Sequence, residues 1–150
     1  MPRGVKAPGT NSHTMRKSKT KSLSMAKADK AFSEYIRVRD ADTTGMVVCI
    51  TCEKRNHWQE SDAGHFVPRD RKITRYDERN VNGQCQYCNR YRSGEQYKYG
   101  LAIDLKYGPG TAEELVEMST QTIKAGQDFY EQVAGKYKEL TVSLRQLKGL

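Results

Sequence analysis

Between Cys49 and Asn89 the chain reads CITCEKRNHWQESDAGHFVPRDRKITRYDERNVNGQCQYCN, and this stretch decides the fold. Cys49-Ile-Thr-Cys52 and Cys85-Gln-Tyr-Cys88 are two C-x-x-C pairs that use all four cysteines of the chain. Each pair lets two thiolates grip one side of a tetrahedral ion at a Zn–S distance of about 2.3 Å, and two pairs leave no position open for substrate. The spacing therefore predicts structural zinc. Disulfides and a redox motif rank behind it, because the basic start of the chain is not followed by the apolar block of a secretory signal. The pairs stand 32 residues apart, whereas an ordinary zinc ribbon leaves about 15 to 20. So long an insert is expected to carry something of its own.

Around this stretch lie 150 residues, enough for one domain, of which only 36% are hydrophobic. The apolar core is small, so metal binding is expected to supply much of the folding free energy. The formal net charge of +8 is uneven: residues 1–30 hold eight Lys or Arg and one acid, whereas residues 96–150 balance seven against seven. Residues 1–24 combine this charge with Gly, Pro, Ser and Thr and lack apolar periodicity, and they read as a disordered basic tail. Such a tail serves either as a phosphate-neutralising arm, through Arg16, Lys17, Lys19 and Lys21, or as a solubilising segment. No run of residues approaches a membrane span, so a soluble, cytoplasmic protein is expected, with no membrane partner.

Residues 25–150 form the folded part. A helix capped by Ser24 and running to about Asp40 places Phe32, Tyr35, Ile36 and the Arg39 stem on one face. Short strands are expected at Met46–Ile50 and Gly64–Val67, and a helix from about Cys85 to Tyr97. Lys98–Lys106 reads as helical before the Gly108-Pro109-Gly110 stop. Thr111-Ala-Glu-Glu114 has the form of a capping box. Phe129, Val133, Tyr137, Leu140, Leu144 and Leu147 then make one stripe of a last helix, wide enough to suggest a homodimer interface.

Inside the insert stand Asp62-Ala-Gly-His65 and Arg75-Tyr-Asp-Glu-Arg-Asn80, and Asn89 follows the last cysteine. With Gln84-Cys-Gln-Tyr-Cys-Asn89 and Ser93-Gly94, this order of His, Asn and Asn resembles the HNH, or ββα-metal, nucleases. More closely still, it resembles the phage NinG/Rap recombination endonuclease family, and it is similar to the endonuclease VII type of junction resolvase. The resemblance implies an α+β fold: a small HNH-like core on a four-cysteine zinc site, flanked by helices. It implies His65 as general base, Asn80 as support for the loop and Asn89 as ligand of a catalytic Mg²⁺ or Mn²⁺. It also implies branched DNA as substrate and other phage or host recombination proteins as partners. Where the wider family usually has a metal-binding Asp before the base, this chain has Gly64. Strand alternation puts Asp62 on the same face as Gly64, which makes Asp62 the first candidate for the missing carboxylate, ahead of Glu60, Glu78 and Glu95.

The chemistry has a basis in the residues as well. Phosphodiester hydrolysis needs a base near neutral pH, a hard cation and a grip on phosphate. His65 suits the first task and Asn89 with Asp62 the second. Arg69, Arg71, Lys72, Arg75, Arg79, Arg90 and Arg92 are candidates for the third, although neighbouring acids also permit surface ion pairs. Tyr87, Tyr91, Tyr97 and Tyr99 stack on unpaired bases in one reading and pack the core in another. Three functional classes follow: a structure-selective DNA endonuclease, or a less selective nicking enzyme; a non-catalytic zinc-ribbon nucleic-acid-binding module; and a structural protein of phage assembly.

Overall fold

A computed structural model describes the backbone of residues 12–150 and the side chains of residues 23–150. Helix α1 (Ser12–Asp40) leads into a hairpin of β1 (Met46–Val48) and β2 (Arg55–His57), and then a second hairpin of β3 (Asp62–His65) and β4 (Val81–Gln84). A short π-turn (Tyr87–Tyr91) follows, then α2 (Gln96–Tyr107), α3 (Thr111–Met118) and α4 (Gln127–Lys148). Both hairpins are antiparallel, with Met46 opposite His57 in the first and Asp62 opposite Gln84 in the second. The protein is thus α+β.

Helices α1 and α4 lie against one another because each has a buried stripe. Ala28, Ala31, Phe32, Tyr35 and Ile36 of α1 meet Tyr130, Ala134 and Tyr137 of α4, with Val81 of β4 in the same cluster. Phe32 and Tyr137 make an edge-on aromatic pair with ring centroids 4.7 Å apart. Lys148, at the end of α4, donates to the carbonyls of Val38, Arg39 and Ala41, and so closes the open C-terminus of α1. Beside that terminus, Asp40 accepts from the Gly83 amide at 2.7 Å while Arg39 donates to the carbonyls of Glu78 and Val81, fastening β4 to α1. Gly83 has no room for a side chain, since a Cβ there would stand 2.4 Å from Val47 Cγ1.

A third cluster, of Val67, Tyr99, Ile103 and Leu115, attaches α2 and α3. Fully buried Tyr99 accepts from the Asn82 amide and donates to the Gly64 carbonyl, so its hydroxyl bridges facing positions of β3 and β4. Of the four tyrosines read as stacking candidates, Tyr99 is therefore a core group.

Several expected boundaries shift. The helix expected to start at Ser24 passes through it, and Ser24 is buried inside α1 rather than capping it. Of the tail expected over residues 1–24, residues 1–11 lie outside the described residues; the side chains of Arg16, Lys17, Lys19 and Lys21 do too. The helix expected from Cys85 to Tyr97 is broken, because bringing Cys85 and Cys88 onto the first cysteine pair winds the chain into the π-turn. Ser93, Gly94 and Glu95 then take left-handed conformations before α2 begins. The capping box does not form: Gly110 precedes α3, Asp104 caps the Ala112 amide at 2.8 Å, and Glu114 pairs with Arg79. The α4 stripe is largely met by α1, leaving Leu147 exposed and Leu140 at its edge, so the apolar surface that suggested a dimer is mostly covered within the chain. No helix among the described residues is long and apolar enough to cross a membrane.

Candidate functional site

The sulfur atoms of Cys49, Cys52, Cys85 and Cys88 all lie within 4.8 Å of one another. Cys52 Sγ and Cys85 Sγ are 3.7 Å apart, close to the edge of about 3.8 Å that a tetrahedron with Zn–S bonds of 2.3 Å requires. Cys49 sits just past β1 and Cys85 just past β4, and the Cys88 amide points at Cys85 Sγ from 3.4 Å. The donor set and its spacing fit zinc. Among the described residues no other group of three or more His, Cys, Asp or Glu side chains is placed to hold an ion. A catalytic Mg²⁺ or Mn²⁺ thus has no carboxylate cluster waiting for it.

The four-cysteine cluster fixes the start of the π-turn, and the next residue of that turn faces the second hairpin. Asn89 Nδ2 donates to Asp62 Oδ2 at 2.8 Å. Arg90 donates to both Asp62 oxygens, also at 2.8 Å. Burial by itself would raise the Asp62 carboxyl, but the hydrogen bonds from Arg90 and Asn89 outweigh it and hold the group below its usual range. Asn89 Oδ1 faces the other way, toward Gly64: a Cβ built on Gly64 would lie 3.2 Å from it. Asp62, Gly64 and Asn89 therefore share one side of β3, as strand alternation implied.

His65 is the last residue of β3 and is mostly enclosed. Its Nε2 lies 3.0 Å from the Arg75 carbonyl. A carbonyl oxygen only accepts, so Nε2 carries the proton and Nδ1 is the basic nitrogen. Burial above all, with the charges of Arg75 and Arg69 behind it, lowers the His65 pKa below its ordinary 6.5, although the bond to the Arg75 carbonyl partly opposes this. The ring is neutral at neutral pH. His65 and Asn89 both line a cleft of about 460 Å³, together with Asp29, Arg69 and Gly94.

Asn80 is wholly buried and holds the loop that runs from His65 back to β4. Its amide donates to the carbonyls of Val67 and Thr74 at 3.0 Å, and its Oδ1 accepts from the Val67 amide at 2.7 Å. The loop has a second anchor that no local pattern announced. Asp29 of α1 takes the Arg75 guanidinium through both carboxylate oxygens and also accepts from the Tyr76 hydroxyl. Since the Arg75 carbonyl is the His65 partner, Asp29 positions the imidazole through one residue. Its own carboxyl, which burial would raise, is held below the usual range by Arg75 and Tyr76.

The arginine cluster divides once partners are assigned. Arg75 is buried against Asp29, Arg79 pairs with Asp77 and Glu114, Arg90 with Asp62, and Arg92 with Glu95. Arg69, Arg71 and Lys72 are exposed on the loop after Pro68 with no carboxylate partner among the described residues. Those three remain free to meet phosphate. Gln84 stands in the Gln84–Asn89 segment that carries the resemblance, but its role follows only from the structure. Fully buried, it donates from Nε2 to Thr51 and to the Gly94 carbonyl, and its Oε1 has no partner. That oxygen sits 2.1 Å from the point where a Gly64 Cβ would stand. Glycine at 64 is thus what admits the Gln84 amide, which links the cysteine loop to the cleft wall. Its position directly before Cys85 was the only sequence signal available.

The fold and site define a class: an α+β protein with a four-cysteine cluster whose donors and spacing fit zinc, beside a cleft lined by a histidine and an asparagine. Comparison with known proteins narrows it. The family model described as Bacteriophage Lambda NinG protein matches residues 6–147, and the chain belongs to that family. Among curated relatives, Protein ninG of Salmonella phage P22 is 30% identical over 129 residues, covering 81% of this chain and 60% of the relative. The proteins of the same name from Escherichia phage 933W and Escherichia phage lambda are 32% and 31% identical over 98 residues, covering 65% of this chain and 46% of theirs. The chain thus spans about half to three fifths of the length of these relatives. No solved structure matches it.

Proposed function

We propose that this protein is a metal-dependent, structure-selective DNA endonuclease of the HNH type, acting on branched recombination intermediates such as Holliday junctions or D-loops. The observation that carries the reading is the shared cleft: His65, with Nε2 committed to the Arg75 carbonyl, and Asn89, on the turn fixed by the cysteines, line the same cavity at the end of the β3–β4 hairpin. Strand, strand and helical turn follow in the order that the ββα-metal resemblance implies.

In this reading His65 Nδ1 takes a proton from a water molecule as its oxygen attacks phosphorus, and the sugar oxygen leaves on the opposite side. Asn80 and Asp29 hold the ring in place through the loop backbone. With the Asn89 amide turned so that Oδ1 rather than Nδ2 faces Asp62, the two would offer oxygen donors that suit Mg²⁺ or Mn²⁺, and such an ion, when bound, would supply charge stabilisation for the phosphorane and the leaving oxygen. For Asp62 to serve, Arg90 must exchange the carboxylate for DNA phosphate, which an exposed guanidinium readily does. Arg69, Arg71 and Lys72 grip the backbone, with Arg16, Lys17, Lys19 and Lys21 of the N-terminal segment adding charge. Two paired cuts in a junction call for two copies of the chain, and the resemblance extends to phage or host recombination proteins as further partners.

Single-turnover cleavage of a synthetic four-way junction, titrated with Mg²⁺ and Mn²⁺, tests this. His65→Ala should lose about 10² to 10⁴-fold in rate while zinc content and junction affinity hold. Asn89→Ala should recover part of its loss in excess Mn²⁺. Wild-type-like cutting by the His65 variant would leave a non-catalytic zinc module as the better description.

A further inference from the structure

The π-turn that presents Asn89 to the cleft has an outer side, and two tyrosines occupy it. Tyr87 and Tyr91 are 61% and 79% exposed, whereas Tyr35, Tyr99, Tyr130 and Tyr137 are buried. Their rings lie stacked, with centroids 6.4 Å apart and planes at 28°. The wide turn is responsible: the Arg92 amide reaches the Tyr87 carbonyl five residues back, at 3.1 Å, and turns of this kind are rare and concentrate at functional sites. The turn is held from both ends. Cys88 belongs to the metal cluster, and the Gly94 amide donates to the Cys88 carbonyl while the Gly94 carbonyl accepts from Gln84. The chain adopts left-handed conformations at Ser93 and Glu95 to make this return, a local strain that persists only where the surroundings enforce it.

Cations border the rings. Arg90 and Arg92 flank Tyr91 along the turn, and both guanidinium groups are more than half exposed. Asp62 and Glu95 are each engaged by one of these guanidinium groups, and the exposed Glu60, which lines a depression with Tyr87, shares it with Lys54. Both ion pairs are exposed on the arginine side, and such pairs exchange partners at little cost. An exposed aromatic pair on a turn that also carries two exposed arginines matches one ligand chemistry above others: a nucleobase presenting its π-face, with its phosphate beside it. Bases inside a duplex are stacked on one another and cannot offer that face. Bases at a branch point or in a single strand can.

We propose that Tyr87 and Tyr91 form a stacking platform for unpaired bases of the DNA bound in the adjacent cleft, so that the π-turn reads strand separation with its outer side while presenting Asn89 with its inner side. This rests on the endonuclease reading and specifies how branched DNA would be selected.

Equilibrium binding of the full chain tests the platform without any cleavage step. The probes are a labelled oligothymidylate and a blunt duplex of equal length, followed by fluorescence anisotropy with no divalent ion added. The wild type should prefer the single strand. Tyr87→Ala with Tyr91→Ala should weaken single-strand binding about tenfold or more, as expected from losing base–aromatic stacking, while duplex affinity changes less than about twofold. Tyr87→Phe with Tyr91→Phe should bind as the wild type does, and Tyr87→Leu with Tyr91→Leu should behave like the alanine pair. The rings are exposed, so every variant should keep its metal and its circular dichroism. Equal losses on both probes, no loss on either, or full binding by the leucine pair would overturn the proposal. The two readings fail separately: tyrosine-dependent single-strand binding without junction cleavage sinks only the nuclease, and cleavage with no tyrosine dependence of binding sinks only the platform.

Discussion

His65 keeps its proton on Nε2 and its lone pair on Nδ1, and its lowered pKa sets the pH at which it can act. As the base proposed above, His65 would work as the neutral ring, so cleavage should rise with pH along a limb centred below the ordinary 6.5 and be level above it; a pH–rate profile under single-turnover conditions checks this. The same shift has a stability counterpart. A histidine whose folded pKa is lowered contributes stability that is complete above 6.5 and is lost as pH falls from there through the folded value. Asp29 acts one step removed, through the Arg75 carbonyl. Asp29→Asn keeps the shape but removes the charge opposite Arg75, and should cost about 1 to 3 kcal/mol in stability. Because the imidazole then loses its fixed partner, the acid limb of the pH–rate profile should also move. A variant that lost stability and kept the profile would make Asp29 a purely structural residue.

The second hairpin depends on a side chain from its own opposite strand. Gln84 Oε1 fills the space above Gly64, so Gly64→Ala must displace a buried amide whose other end is held by Thr51 and Gly94. Overpacking of this kind costs about 1 to 3 kcal/mol. Shortening the opposing side chain should relieve it, so Gly64→Ala combined with Gln84→Ala is expected to be less destabilised than the two single losses added together. Urea denaturation of the four proteins measures the coupling; strict additivity would mean that the two residues do not share this space. The elements most poorly read from sequence lie next to this hairpin. The stretch from Cys85 to Tyr97 has helical residues throughout, yet the demand that four sulfurs meet overrides propensity and turns the chain at 87–95. Similarly, Thr111 and Glu114 have the right types for a capping box, but Arg79 from the loop before β4 and Asp104 from α2 reach those positions first.

At the scale of the whole molecule, charge is separated from the site chemistry. The residues from 23 onward hold all 18 acids and pair many of their arginines, whereas the unbalanced positive charge lies near the N-terminus. Removing residues 1–21 should therefore leave metal content and catalysis of bound junction intact but weaken DNA binding and flatten its salt dependence. If Arg16, Lys17, Lys19 and Lys21 each contact a phosphate, the slope of log K against log salt should fall by about 3 to 4. Anisotropy titrations at several salt concentrations measure it, and an unchanged slope would reduce the segment to a solubiliser.

The sequence by itself determined what depends on neighbours along the chain. Two C-x-x-C pairs brought together offer four thiolates to one metal ion, because each pair sets its own two ligands; a histidine ending one strand and an asparagine following a cysteine are likewise fixed by local spacing. The buried stripes of α1 and α4 were legible for the same reason, as periodicity is a local property. Only the tertiary structure decided which charges are free. Asp29 and Arg75 are 46 positions apart and Arg79 and Glu114 are 35 apart, and nothing in the text between them says that they pair. The same holds for Tyr99, whose hydroxyl lies between two strands, and for Gln84, whose amide fills the place of a missing side chain. Each is settled by packing, which brings together residues from distant parts of the chain, and a composition or a spacing cannot encode that.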